Sequence, residues 1–181
     1  MKRTLIAFVL ILALAAMASC SKGGSSLFNN GGLGEKDDGE HFSFTTKDVY
    51  GNAVSSKELF SENKITMINV WASWCGPCVG ELGELQALSE TLNEMGCGLI
   101  GILDDGDEAG GLRDGLALMD SNGITYPVVV SNAGIRSQLN LQYYPTTVFV
   151  DASGRMIGEP IIGAQVDAYL PAIQSLLADM D

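Results

Sequence analysis

A mostly apolar run, Ile65 to Trp71 (ITMINVW), leads two residues later into Trp74-Cys75-Gly76-Pro77-Cys78. Val79, Leu82, Leu85, Leu88, Leu92 and Met95 then recur at spacings of three and four. The run reads as a buried strand, and the spacing after it is one apolar face of a helix closed by Gly96. The two cysteines are thereby confined to a strand-to-helix junction, with Cys75 at the helix N-terminus. Unpaired backbone N–H groups and the helix dipole favour a thiolate there, and the thiolate is the nucleophile. Pro77 is tolerated because the first turn has no intrahelical acceptor for its missing N–H.

A C-x-x-C pair is shared by zinc sites, haem attachment and redox dithiols. Tetrahedral zinc needs four ligands, and only Cys97 and the single histidine, His41, remain to help. Haem attachment needs His directly after the second Cys, where Val79 stands. Asp104-Asp105-Gly106-Asp107 superficially suggests calcium, but a loop counted from Asp104 has Gly115 where the bidentate Glu belongs. No metal site is expected. A redox pair and a structural disulfide stay open, and the flanking Trp, strand and helix agree with the redox reading.

Around this junction the chain alternates strands and helices, which points to an α/β fold. Phe42-Ser43-Phe44 alternates as a short strand, and Tyr50-Gly51-Asn52 supplies a turn before Val54, so an N-terminal hairpin is expected. Ser55 or Ser56 caps a short helix through Phe60. A second buried strand runs Cys97 to Leu103, then a helix from Asp107 as cap to Asn122 with Gly123 as stop. Val128 to Val130 and a helix from Ala133 to Leu139 follow. The chain ends with a strand Thr146 to Val150, the turn Asp151 to Gly154, a strand Arg155 to Ile162, and a helix from about Val166. Pro171 fits that helix only if it starts late, near Asp167. Cys97 is expected to pack as a small buried hydrophobe, and His41 to be solvated.

The N-terminus reads differently. Lys2 and Arg3 precede 14 uncharged residues from Leu5 to Ala18, short of the roughly 20 a spanning helix needs, so residues 1–19 read as a secretory signal peptide. Met17-Ala18-Ser19-Cys20 resembles the lipobox of bacterial lipoproteins, in which the Cys is acylated and becomes the new N-terminus. Ala16-Met17-Ala18 also fits an A-x-A cleavage pattern that would release a soluble protein. Residues 20–41 are Gly-, Ser- and acid-rich and read as a flexible tether, holding residues 42–181 on the order of 25 Å from a lipid on Cys20. Ten basic against 22 acidic residues give a net charge of −12, which excludes a basic nucleic-acid surface.

WASWCGPC after a buried strand resembles the thioredoxin superfamily, and within it the membrane-tethered TlpA/ResA-type thiol-disulfide oxidoreductases. The resemblance implies a thioredoxin-like fold, a central mixed β-sheet flanked by helices, with an extra strand and helix supplied here by residues 128–139. That group places Asn69 in the strand before the motif and a Glu three residues after the second Cys, here Glu81, which would take a proton from Cys78. The proline five residues after that Cys is replaced by Gly83. The resemblance also implies a cis-proline facing the dithiol. Of Tyr126-Pro127 and Tyr144-Pro145, the strand-turn-strand-helix ending selects Pro145, with Tyr144 offering a backbone edge to an incoming peptide.

Cys75, Cys78, Glu81 and Pro145 are thus the expected catalytic residues, and Trp74, Gly76, Pro77 and Tyr144 the expected substrate surface. Trp71 is expected to pack inside. Implied partners are exported proteins bearing disulfides or dithiols, apocytochrome c among the candidates, and a membrane thiol carrier as electron donor. The protein is expected to be a monomer outside the cytoplasm, without cofactor. A peroxiredoxin would need P-x-x-x-T-x-x-C, which is absent, and a Sco-like copper carrier would pair C-x-x-x-C with a distal His. A binding lipoprotein with an inert disulfide is the non-enzymatic alternative.

Overall fold

In the computed structural model residues 41–180 are described. The signal peptide, Cys20 and nearly all of the expected tether lie outside them. His41 is exposed and makes an isolated antiparallel bridge with Arg155.

β1 (Thr45–Lys47) and β2 (Ala53–Ser55) form the expected N-terminal hairpin, but its first strand is shifted from Phe42–Phe44. Phe42 and Phe44 still alternate inward with Phe60. Their backbones pair with Gly154 and Ser56 instead of a neighbouring strand, so burial alternates where no ladder forms. α1 (Ser56–Phe60) starts at a complete capping box between Ser55 and Glu58.

β3 (Ile65–Trp71) is buried at every position and enters α2 (Gly76–Glu94) through a short turn. β4 (Gly98–Leu103) follows, then α3 (Gly111–Ser121), β5 (Val128–Val130), α4 (Ala133–Leu139), β6 (Thr146–Asp151), β7 (Met156–Ile162) and α5 (Val166–Ala178). The five-stranded sheet has the order β5-β4-β3-β6-β7. β3 is parallel to β4 and antiparallel to β6, so the sheet is mixed with β3 central. Covered on both faces, β3 is buried without alternation, with Thr66 and Asn69 its two polar residues.

Two expectations fail. α3 begins at Gly111, after an uncapped N-cap at Gly110, not at Asp107. Asp107 is drawn away by Arg136, whose guanidinium takes its carboxylate at 2.7 Å, and residues 104–110 turn without forming a helix. Nor does α5 begin late: Pro171 lies inside it, beyond the first turn. Burial of Tyr169 and Ile173 on either side of the proline holds the helix across the missing hydrogen bond.

Candidate active site

Cys75 is the N-cap of α2. Its backbone is extended, its N–H closes a turn on the Ala72 carbonyl at 3.0 Å, and its Sγ accepts from the Cys78 N–H at 3.3 Å. The sulfur thus occupies the position where helix-terminal N–H groups converge, the environment that stabilises a thiolate. Cys75 and Cys78 are joined by a disulfide with Cα atoms 5.3 Å apart. Cys75 is 6% exposed and Cys78 fully buried, so Cys75 is the more accessible of the two. Gly76 and Pro77 are exposed between them in the first turn.

The Tyr144-Pro145 peptide bond is cis, as expected for one of the two Tyr-Pro pairs. It lies just before β6, which neighbours β3 in the sheet, so the proline turn and the cysteine turn rise from the same end of adjacent strands. The Trp74 and Tyr144 rings meet edge to face with centroids 5.5 Å apart, bringing the two turns into contact. Trp74 is 67% exposed and Trp71 fully buried. Beyond the proline turn a cavity of about 610 Å³ is lined wholly by uncharged residues, among them Leu139, Tyr143, Thr146, Met156 and Ile162.

Glu81 is buried beneath this surface, one helical turn beyond Cys78. Its carboxylate accepts from Asn69 Nδ2 and from the Tyr169 hydroxyl, each at 2.9 Å. Asn69 also donates to Thr147 Oγ1 at 3.1 Å. Burial pushes the Glu81 carboxyl above its ordinary value, against the two hydrogen bonds that favour its charged form. Glu81 is thus a buried titratable group held in a small polar network with Asn69, Thr147 and Tyr169. Gly83 leaves α2 continuous, its position open apart from the Asn122 side chain.

Sequence reasoning missed a polar cluster at the end of β4. Asp104 accepts from the Tyr144 hydroxyl at 2.5 Å and from Arg136 Nε at 2.9 Å. Asp105 accepts from the Ser73 N–H at 3.0 Å and from its hydroxyl at 2.5 Å. Tyr169, the second partner of Glu81, was also missed. These contacts join residues 32 to 88 positions apart, beyond any local pattern. No group of metal-ligating residues occurs among the described residues.

The sequence matches the AhpC/TSA family over residues 39–157. The chain belongs to that family. Among similar proteins, the thioredoxin-like protein YneN of Bacillus subtilis is 26% identical, over 61% of this chain and 63% of that protein. The thiol-disulfide oxidoreductase ResA of Oceanobacillus iheyensis is 31% identical, over 60% of this chain and 57% of that one. The AhpC/TSA chain thus spans less than two thirds of the length of these relatives. A thiol:disulfide interchange protein from Chlorobium tepidum is 27% identical with a TM-score of 0.63, covering 76% of this chain and 94% of that one. StoA from Bacillus subtilis, at 21% identity and a TM-score of 0.58 over 71% and 93% of the two chains, shares the fold. The fold of this AhpC/TSA-family chain is thioredoxin-like.

Proposed function

We propose that this protein is a thiol-disulfide oxidoreductase that reduces disulfides in exported proteins through the Cys75–Cys78 pair. The observation that carries the reading is the pairing of an N-cap cysteine, the more accessible of the two, with a fully buried second cysteine. In the reduced protein the Cys75 thiolate attacks one sulfur of a substrate disulfide. A Cys75–substrate disulfide forms and the substrate's other sulfur leaves as a thiolate, which takes up a proton. Cys78 then gives its proton to Glu81 and attacks Cys75 Sγ, which releases the second substrate thiolate and leaves Cys75–Cys78 oxidised. Two electrons pass to the substrate in each cycle. Trp74, Gly76, Pro77 and the backbone edge of Tyr144 at cis-Pro145 receive the substrate chain. The uncharged cavity beyond the turn suits its apolar side chains.

On this reading the protein is exported, is anchored through a lipid on Cys20, acts as a monomer, and is re-reduced by a membrane thiol carrier. Apocytochrome c is one substrate of suitable chemistry. The names of its ResA relatives support the activity, and the WASWCGPC sequence supports the direction of attack.

The test is dithiothreitol-driven reduction of insulin. The wild-type chain accelerates it, and Cys75→Ser abolishes the acceleration. A Cys75→Ser variant that retains the rate overturns the assignment. The reduction potential of the pair fixes the direction of electron flow, and a bond too stable for a thiol carrier to reduce would leave the inert-disulfide alternative standing.

A further inference from the structure

The proposed reaction leaves two buried carboxylates without a role. Asp104 and Asp105 are adjacent, directly after β4, and are 8% and 4% exposed. Asp104 bonds the proline turn and Asp105 the cysteine turn. Asp104 takes the Tyr144 hydroxyl and is matched by Arg136. Asp105 takes both the N–H and the hydroxyl of Ser73, two residues before Cys75.

The sheet cannot supply either connection. The β3–β4 ladder ends at Trp71 opposite Leu103, and the β3–β6 ladder ends at Val70 opposite Thr146. One more backbone bond, Asp104 N–H to the Trp71 carbonyl at 2.8 Å, closes the pairing. Past that point the cysteine turn and the proline turn are tied to the β4 end by carboxylates. A nucleophile and the edge that receives its substrate must be held to about half an ångström for efficient transfer.

We infer that Asp104 and Asp105 are positioning residues that set the Ser73–Cys75 turn against the Tyr144–Pro145 turn, Asp105 by gripping Ser73 and Asp104 by gripping Tyr144. The inference rests on the reading of Cys75 as the nucleophile. It has a signature in charge as well as in geometry. Arg136 is shared between Asp104 and Asp107, whereas the bonds to Asp105 come from the neutral Ser73. The Asp105 charge therefore opposes a thiolate on Cys75, and the Ser73 hydroxyl moderates it. The other charged or titratable groups on the helices and loops around Cys75 are Cys78, Glu81, Glu84, Glu90 and Glu94 on α2, Asp107 and Glu108 in the β4–α3 loop, Arg136 on α4, Tyr144 before β6, and Asp167 and Tyr169 on α5.

The experiment uses the reduced full-length chain and follows iodoacetamide alkylation of Cys75 against pH by peptide mass spectrometry. Ser73→Ala removes the hydroxyl bond, keeps the backbone N–H bond to Asp105, and leaves the Asp105 charge less compensated. The midpoint should rise by about half a unit, a threefold loss of thiolate at a pH below it. Adding Asp105→Asn, which removes the charge and keeps an acceptor, should return the midpoint to or below the wild-type value. Tyr144→Phe should leave the midpoint alone and raise KM for insulin at least about threefold, with kcat held.

An unmoved midpoint in Ser73→Ala overturns the inference. So does a further rise on adding Asp105→Asn, which is the signature of loosened packing alone, or an unchanged KM in Tyr144→Phe. Alkylation needs no substrate disulfide. A wild-type protein inactive on insulin would therefore refute the oxidoreductase reading, while the Ser73 and Asp105 variants would still decide the role of the carboxylates.

Discussion

Tyr169 on α5 donates its phenol hydrogen to Glu81 Oε2 at 2.9 Å, which ties the helix carrying the dithiol to the C-terminal helix through a buried carboxylate. The bond matters to both partners. Burial raises the Glu81 carboxyl above its ordinary value of 4.5, and burial together with Glu81 pushes the Tyr169 phenol up to about 12.

Tyr169→Phe is expected to cost about 1.5–3 kcal/mol of stability, since a buried carboxylate loses one of its two donors. The carboxyl of Glu81 should then titrate still higher. If Glu81 accepts the Cys78 proton, the rise of kcat with pH moves to higher pH in Tyr169→Phe. Urea unfolding and a pH–rate profile check the two parts separately.

Stability should also depend on the ionisation of Glu81. A carboxyl whose folded value is raised binds its proton more tightly in the native state, so its contribution is full below the unfolded value and is lost as pH rises through the folded one. Wild-type stability should therefore fall through a window that begins near 4.5 and extends upward. Glu81→Gln keeps the polar contacts without the charge and should remove that fall. Parallel slopes of Tm against pH for the two proteins would refute the coupling.

Cys97 is 1% exposed, and burial raises its thiol above the ordinary range. Thiolate is the reactive form, so native protein should resist iodoacetamide at Cys97 at neutral pH. The same residue should label readily in 6 M guanidinium. Rapid labelling in the native state would place Cys97 at an opening that the fold lacks.

Much of this site is written locally. The buried strand, the apolar face of α2, Cys75 at its N-terminus and Ser55 as a cap are all signalled by neighbours within a turn of helix or a few strand positions. Pro145 was separable from Pro127 because the elements after it are regular. Asp104 and Asp105 were not legible as partners of Tyr144 and Ser73, because an acidic run looks the same whether it caps a helix or grips a distant turn. The same limit misplaced the start of α3: local preference put Asp107 at the cap, and Arg136, 29 residues away, took it instead. In Phe42 and Phe44 alternation correctly reported burial, but pairing depends on which backbone lies alongside.

Gly111 is packed so closely against the β4–α3 loop that a Cβ there would run into the Asp105 carbonyl oxygen. Backbone cannot yield as a flexible side chain does, so Gly111→Ala is expected to destabilise by about 1–3 kcal/mol or more. Because the displaced residue is Asp105, the variant should also slow insulin reduction beyond what its stability loss explains at 25 °C. An Ala at exposed Gly80, which meets nothing within 4 Å, is the matched control and should be neutral or stabilising by up to about 1 kcal/mol.

Trp74 offers the complementary case, a residue that costs the fold little to lose. It is 67% exposed, and its ring contact with Tyr144 is edge to face. Such a pair contributes about 0.5–1.5 kcal/mol beyond area burial, less where water reaches it, so Trp74→Ala should unfold within about 1 kcal/mol of wild type. Its function, if it forms part of the surface that receives substrate, is felt in binding. KM for insulin should rise several-fold. The rate with a small disulfide such as oxidised glutathione, too short to reach past Cys75 to the ring, should change less than twofold. Equal losses on the large and the small substrate would show instead that Trp74 acts on Cys75 itself, through the turn that carries both.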